Sequence, residues 1–377
     1  MINKLRLINF KSHKDTQLIL GNLTVLCGKN GVGKSSLIQS LLLLRQSHKK
    51  NRLDKVLDLN SPLCFIGKSK DAIYRLPNEE FKNEIGFVLN ENGEEYSWIF
   101  SAEEDSTYLK RLNDLVDSDG FQNLSLFNNN FQYLSASRNT EYKSDNYAVD
   151  VEKQISINEG KGELVAQFLY EYGKKNKVIN GVKHEREKDD FLLSQVTAWE
   201  REISDSVNVN PIVIGESFDI KYSFDTGNAL GPIDEISKQN VGFGLSYALP
   251  IIVAILSSKE GSFLLIENPE AHIHPHGQAK IAELICIAAQ AGIQLIVETH
   301  SDHIINGILV QCKKFEETQG VKGIDKNNAK IYYFDRTEKE HATISTEVEI
   351  DAGGKLKNQP KGFFDQIELD LNNLMGF

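Results

Sequence analysis

Long apolar runs are missing. No stretch of the 377 residues approaches the roughly 18 uninterrupted apolar residues that a membrane-spanning helix needs. The opening MINKLRLINF lacks the pattern of a secretory leader. These absences set the expectation of a cytoplasmic protein with no membrane partner. Cysteine is sparse too. Cys27, Cys64, Cys286 and Cys312 are scattered, without the paired spacing of a zinc site or a disulfide framework. They read as reduced thiols, with Cys27 and Cys286 inside apolar runs. Positive charge is in deficit: 42 Lys and Arg against 53 Asp and Glu leave a formal charge of −11. That balance opposes nucleic-acid binding, which needs cations to displace condensed counterions. Nucleic acid stays open as a partner only through a local patch, of which Arg45, His48, Lys49, Lys50 and Arg52 are the best candidate. Its simpler reading is a solvated helix end, with cations opposing the negative end of the helix dipole.

What is present is an alternation of strands and helices. Leu5, Leu7 and Asn9-Phe10, then Leu18 to Leu20, then Leu23 to Cys27 read as short strands, the last running into a glycine loop. SSLIQSLLLLRQS follows as a buried helix. Signals from about Lys50 to Ser135 are mixed short strands and polar loops. ELVAQFLYEYGKK and FLLSQVTAWEREI are helical, separated by a charged loop, and carry no sustained heptad. From about Pro211 the α/β pattern returns. YALPIIVAIL reads as a helix, SFLLIE as a buried strand, HGQAKIAELICIAAQA as a helix, IQLIVET as a second buried strand and SDHIINGILVQC as a helix. Strands follow near Ile331 to Phe334 and Ile344 to Ile350. Phe363, Phe364, Ile367, Leu371 and Leu374 form one face of a closing amphipathic helix. The division expected is an N-terminal part with the glycine loop (1–150), an inserted helical lobe (151–210), a second α/β part (211–350) and a tail helix (351–377). The fold class is α/β, with a mostly parallel, covered core sheet and an antiparallel portion.

Four segments carry chemistry. GKNGVGKS, Gly28 to Ser35, fits the P-loop pattern, with an apolar strand before it and an apolar helix after it. Gly28, Asn30, Gly31 and Gly33 would turn backbone N–H groups around phosphate oxygens, and the following helix presents its positive end. Lys34 would reach the β- and γ-phosphates of ATP, Ser35 would hold Mg²⁺ through its hydroxyl, and Ser36 continues the helix start. FLLIENPEAHIHPHGQ places Glu267 at the end of a buried strand, where a Walker B acid would serve Mg²⁺; Glu270 lies just beyond. LIVETHSDH ends another buried strand with His300, placed to touch a γ-phosphate or the attacking water, and Ser301 as a helix N-cap. NVGFGLSYALP sets Gly242, Gly244 and Ser246 before an apolar helix, another anion site in form. His272, His274 and His276 alternate as strand ligands for zinc would, but Pro275 interrupts them and no Cys or Asp cluster completes the set.

In this order and spacing the motifs resemble the ABC-type ATPases of the RecF, SMC and overcoming-lysogenization-defect group. LRLINFKSH followed by LTVLCGKNGVGKSSLI is similar to the start of RecF- and SMC-like proteins. ENPEAHIHPHGQ and ETHSDH resemble the Walker B and H-loop segments of compact bacterial members, and YLSASRNTEY and QPKGFFDQIELDL look like a small AAA-type ATPase family in that group. The resemblance implies a head-to-head homodimer enclosing two ATP molecules, each P-loop completed by the partner's Gly242, Gly244 and Ser246. That segment departs from the usual Ser-Gly-Gly-Gln. Walker B departs as well: Asn268 stands where most members have glutamate, and an amide cannot accept a proton as that base would. Either Glu270 polarises the water or turnover is slow. No Q-loop is visible. The segment after His300 is too short for the Toprim nuclease of larger relatives, so effector chemistry, such as a nuclease, is expected from a separate polypeptide. In this the chain resembles the sensor or regulator halves of bacterial anti-phage systems, such as the Septu ATPase that works with an HNH nuclease.

Overall fold

Period-two burial along a few short strands decides the architecture. The computed structural model describes residues 1–77, 81–113, 120–138, 141–225, 235–364 and 366–375. The N-terminal elements are β1 (Ile2–Phe10), β2 (His13–Ile19), β3 (Leu23–Gly28), α1 (Lys34–Lys49), β4 (Val56–Asp58), β5 (Glu84–Glu91), β6 (Glu94–Ser101), β7 (Tyr108–Arg111) and β8 (Phe131–Leu134). Then come α2 (Val165–Tyr172), α3 (Leu192–Glu200), a hairpin of β9 (Val207–Ile214) and β10 (Ser217–Phe224), α4 (Phe243–Leu256), β11 (Phe263–Glu267), α5 (Pro275–Gln290), β12 (Gln294–Glu298) and α6 (Asp302–Glu317). β13 (Ala329–Arg336), β14 (Thr343–Val348) and α7 (Gln366–Met375) complete the chain.

One six-stranded sheet has the order β8-β11-β12-β3-β13-β14. It is parallel except for β14, which returns antiparallel along its edge. A second, antiparallel sheet has the order β2-β1-β5-β6-β7-β4. The parallel strands are apolar on both faces, as a covered sheet demands. On β11, Leu264 and Ile266 enter one hydrophobic cluster while Phe263 and Leu265 enter the other; β12 splits the same way, with Leu295 and Val297 against Ile296. α1 packs between the two sheets, and α4, α5 and α6 cover the opposite face. The helices of residues 151–210 are α2 and α3. Phe168, Leu169, Val196 and Trp199 join the same cluster as α4 and α5 rather than enclosing a core of their own.

One expectation sharpens and two change. The Lys50 to Ser135 region, weak in local signal, supplies most of the antiparallel sheet through pairing of β1 with β5. The basic patch is incomplete: Arg45 is buried, donating to the carbonyls of Leu126 and Asn128, and Lys49, Lys50 and Arg52, still partly exposed, lie beside Glu152 and Asp58. Finally, Phe363 and Phe364 precede the closing helix. Left-handed backbone at Phe364 stops a helix there, and Phe363 packs on the Tyr333 ring instead. Leu371 and Leu374 are exposed, Leu374 by 84%; the side chain of Ile367 lies outside the described residues.

Candidate functional site

Strand order brings the motifs together. β12 lies between β3 and β11, so three strands deliver the glycine loop, Glu298 and Glu267 to one edge of the sheet. The register pairs Glu267 with Glu298, and Glu298 with Leu26. Gly28 and Gly33 both adopt the left-handed φ that only glycine takes freely, and a Cβ at either would collide, with the Phe334 carbonyl or the Thr343 hydroxyl respectively. Gly33 gives α1 no side-chain cap, which leaves the first-turn N–H groups free to bind an anion. The loop is braced from outside. His13 Nε2 lies 3.0 Å from the Gly33 carbonyl, and the Thr343 hydroxyl donates to the Val32 carbonyl at 2.8 Å.

A cleft of about 1020 Å³ opens over this loop, lined by Asn30, Gly31, Gly33, Lys34, Ser35 and Ser36 on one side and by Glu298 and His300 on another. A second cleft of about 750 Å³, lined by Tyr133, Ser135 and Glu267, shares Ser35 and Gln39 with the first. Lys34 is 3% exposed, and its ammonium donates to the Gly28 and Lys29 carbonyls at 2.9 and 2.7 Å. Burial holds its pKa below the usual lysine value, against the pull of Glu298. A triphosphate is a stronger, charged acceptor than those two carbonyls.

Two carboxylates flank Ser35 and a third stands near Lys34, each in a distinct state. The Ser35 hydroxyl donates to Glu298 Oε1 at 2.9 Å, whereas Glu298 Oε2 is buried with no hydrogen-bond partner. Burial, then the neighbouring Glu267, pushes the Glu298 pKa up to about 7. Glu267 accepts from the Tyr133 hydroxyl at 2.9 Å and from the Ala136 N–H, and burial raises its pKa as well. Glu270 is engaged elsewhere: it accepts from the Thr299 hydroxyl and the His300 N–H, both at 2.8 Å. Its carboxylate therefore holds the turn that carries His300. The His300 ring lies against the Gly28 backbone, its pKa lowered by burial and then by Lys34.

The family described as AAA domain, putative AbiEii toxin, type IV toxin–antitoxin system, matches residues 23–306. The chain belongs to this family. A domain of unknown function, DUF3696, matches residues 324–374. The Septu protein PtuA of Bacillus thuringiensis is 22% identical over 310 residues, covering 76% of this chain and 68% of that protein. Among solved structures, an Smc head bound to the C-winged helix domain of ScpA aligns with a TM-score of 0.54 at 16% identity, over 93% of this chain and 98% of that one. An Smc head with an extended coiled coil, bound to the C-terminal domain of ScpA derived from Pyrococcus furiosus, gives 0.52 at 13% identity, over 99% of both chains. The fold of this AAA-domain protein is thus that of an Smc head, and the resemblance to compact ABC-type ATPases read from its motifs holds.

The structure separates the residues singled out from the sequence. Lys34, Ser35, His300 and the loop residues Asn30, Gly31, Gly33 and Ser36 share the first cleft, Glu267 and Ser35 both line the second, and Gly28 and Glu270 line neither. Asn268 is not among the residues lining either cleft; it sits in a left-handed turn with its N–H on the Glu298 carbonyl. Gly242, Gly244 and Ser246 also lie outside both clefts, at the start of α4. His272, His274 and His276 span a turn and the start of α5 rather than a strand, so they do not share a face.

The sequence motifs do not single out Glu298 or Arg138. Glu298 stands in LIVETHSDH, and the signal was available: FLLIE and QLIVE are the same pattern, an apolar run closed by glutamate. Arg138 had no such signal. Buried among carbonyls, it donates to Ser135, Glu267 and Asn268 and to Tyr247 of α4.

Proposed function

We propose that this AAA-domain protein binds and hydrolyses ATP, dimerises around two ATP molecules, and in that state governs a separately encoded effector, such as a nuclease, in bacterial anti-phage defence. The observation that carries the reading is the convergence of Lys34, Ser35, Glu298 and His300 on one cleft over the glycine loop. Residues 1–150 and 211–350 act as halves of one ATPase head, with 151–210 and 351–377 as additions to it. Phosphates would lie on the α1 N-terminus and Lys34, the magnesium ion on Ser35 and the buried acids beside it. The buried, unpartnered oxygen of Glu298 fits a hard divalent cation, whose charge offsets that of the phosphates. His300 is positioned for the terminal phosphate through Glu270. Asn268 cannot take a proton, so turnover is slow and ATP serves largely as a conformational ligand.

Gly242, Gly244 and Ser246 lie away from their own cleft, which supports their service to a partner's nucleotide. Similarity to the Septu protein PtuA and the toxin–antitoxin description of the family support the defence role and a cytoplasmic setting. Among the described residues no helix is long and apolar enough to cross a membrane. Burial of Arg45 and the acids beside Lys49, Lys50 and Arg52 weaken the case for DNA binding through the Arg45 to Arg52 segment. The test is biological: cells carrying the native operon should resist phage, and the Lys34→Ala version should not. Equal resistance from both would remove ATP from the function.

A further inference from the structure

Glu298 is the feature of the site that the motif reading does not use. It closes β12, the strand directly beside the P-loop strand β3. It is 4% exposed. Its Oε1 accepts the Ser35 hydroxyl at 2.9 Å. Among the described residues no donor reaches its Oε2. Across the register sits a second acid, Glu267, whose own Oε1 is taken by the Tyr133 hydroxyl at 2.9 Å. The nearest cation, Lys34, spends hydrogen bonds on the Gly28 and Lys29 carbonyls. A buried carboxylate oxygen without a partner is costly unless a cation meets it. A serine hydroxyl and a carboxylate oxygen side by side form an oxygen set suited to Mg²⁺, which typically takes one or two carboxylates and keeps several waters.

We infer that Glu298, from the strand beside the P-loop, is a direct carboxylate ligand of the nucleotide's magnesium ion together with Ser35, while Glu267, fastened by Tyr133, supports the ion from behind. The inference rests on the nucleotide reading above and deepens it. It assigns the carboxylate ligand to the middle strand of the three, where the sequence reading pairs Ser35 with Glu267. It also gives the protein a second oxygen ligand in a chain without a visible Q-loop.

The test uses the full chain and a fluorescent N-methylanthraniloyl-ATP, titrated with EDTA and again with Mg²⁺, and Mn²⁺ binding to the nucleotide complex followed by electron paramagnetic resonance. Glu298→Gln preserves shape and the Ser35 acceptor but removes the charge. With EDTA its nucleotide affinity should equal or exceed that of the wild type, which shows an intact loop. The gain in affinity on adding Mg²⁺ should fall, and Mn²⁺ should bind about 10- to 100-fold more weakly. A wild-type Mg²⁺ response and Mn²⁺ affinity in Glu298→Gln, with both lost in Glu267→Gln, would overturn the assignment while leaving the nucleotide site standing. Absence of nucleotide binding by the wild type would overturn the site itself and the assignment with it.

Discussion

At the residue scale, buried basic groups brace the glycine loop and the strand end beside it, and burial lowers the pKa of each. His13 is buried, bonded to Thr16 and to the Gly33 carbonyl, and burial lowers its pKa from the ordinary 6.5 to about 4. The folded protein therefore resists a proton that the unfolded chain accepts. Stability from this group is complete above pH 6.5 and is lost as pH falls toward 4, by about 3 kcal/mol in total. His13→Gln should flatten the difference in melting temperature across that window; an unchanged pH profile would mean that His13 is solvated in solution. Arg138 is the second such residue. Its guanidinium satisfies the carbonyls of Ser135, Glu267, Asn268 and Tyr247, and burial brings its pKa down to about 10, still charged at neutral pH. Arg138→Met keeps the bulk and orphans those acceptors, so urea unfolding should show a loss of about 3 kcal/mol or more. A midpoint within experimental error of the wild type would contradict this role.

At the scale of elements, legibility followed burial pattern and chain distance. FLLIE and QLIVE announce their strands because both faces are covered and almost every residue is apolar. α1 is equally plain, since Leu37, Ile38, Leu41, Leu42, Leu43 and Leu44 are all buried. β5 and β6 were harder. Their hairpin buries Tyr96, Trp98 and Phe100 at alternating positions, but β5's other partner is β1, with Leu5 opposite Leu89, and no local pattern specifies a pairing across that length of chain. The site divided in the same way. Lys34 and Ser35 are fixed by the glycine spacing, whereas the choice between Glu267 and Glu298 depends on strand order, which places β12 between the other two. Arg138 reads from sequence as one more solvated cation. Only packing shows that it ties β11 to α4, and through Tyr247, whose ring contacts His272, links the Gly242–Ser246 segment to the end of the Glu267 strand.

At the scale of the whole molecule, the proposed function makes the start of α4 the surface that would separate a monomeric nucleotide binder from an ATP-gated dimer. Phe243 is 63% exposed, and Gly242 has open space where a Cβ would stand, without left-handed backbone. Gly242→Glu should fold normally and bind Mg-ATP with wild-type affinity, but place a negative charge against the partner's phosphates. Light scattering should then report a dimer for wild type with Mg-ATP and a monomer for the variant. A dimer in both would move the interface elsewhere. Beneath that question lies the claim that everything else uses: the loop from Gly28 to Ser35, closed by Glu298 and His300, is a nucleotide site. Isothermal titration of Mg-ATP into the wild type and Lys34→Ala tests it most directly. The account predicts saturable binding by the wild type and a loss of roughly tenfold or more in the variant, the size expected when a charge-assisted contact of about 1.5–3 kcal/mol is removed. Equal affinity in both proteins would contradict it.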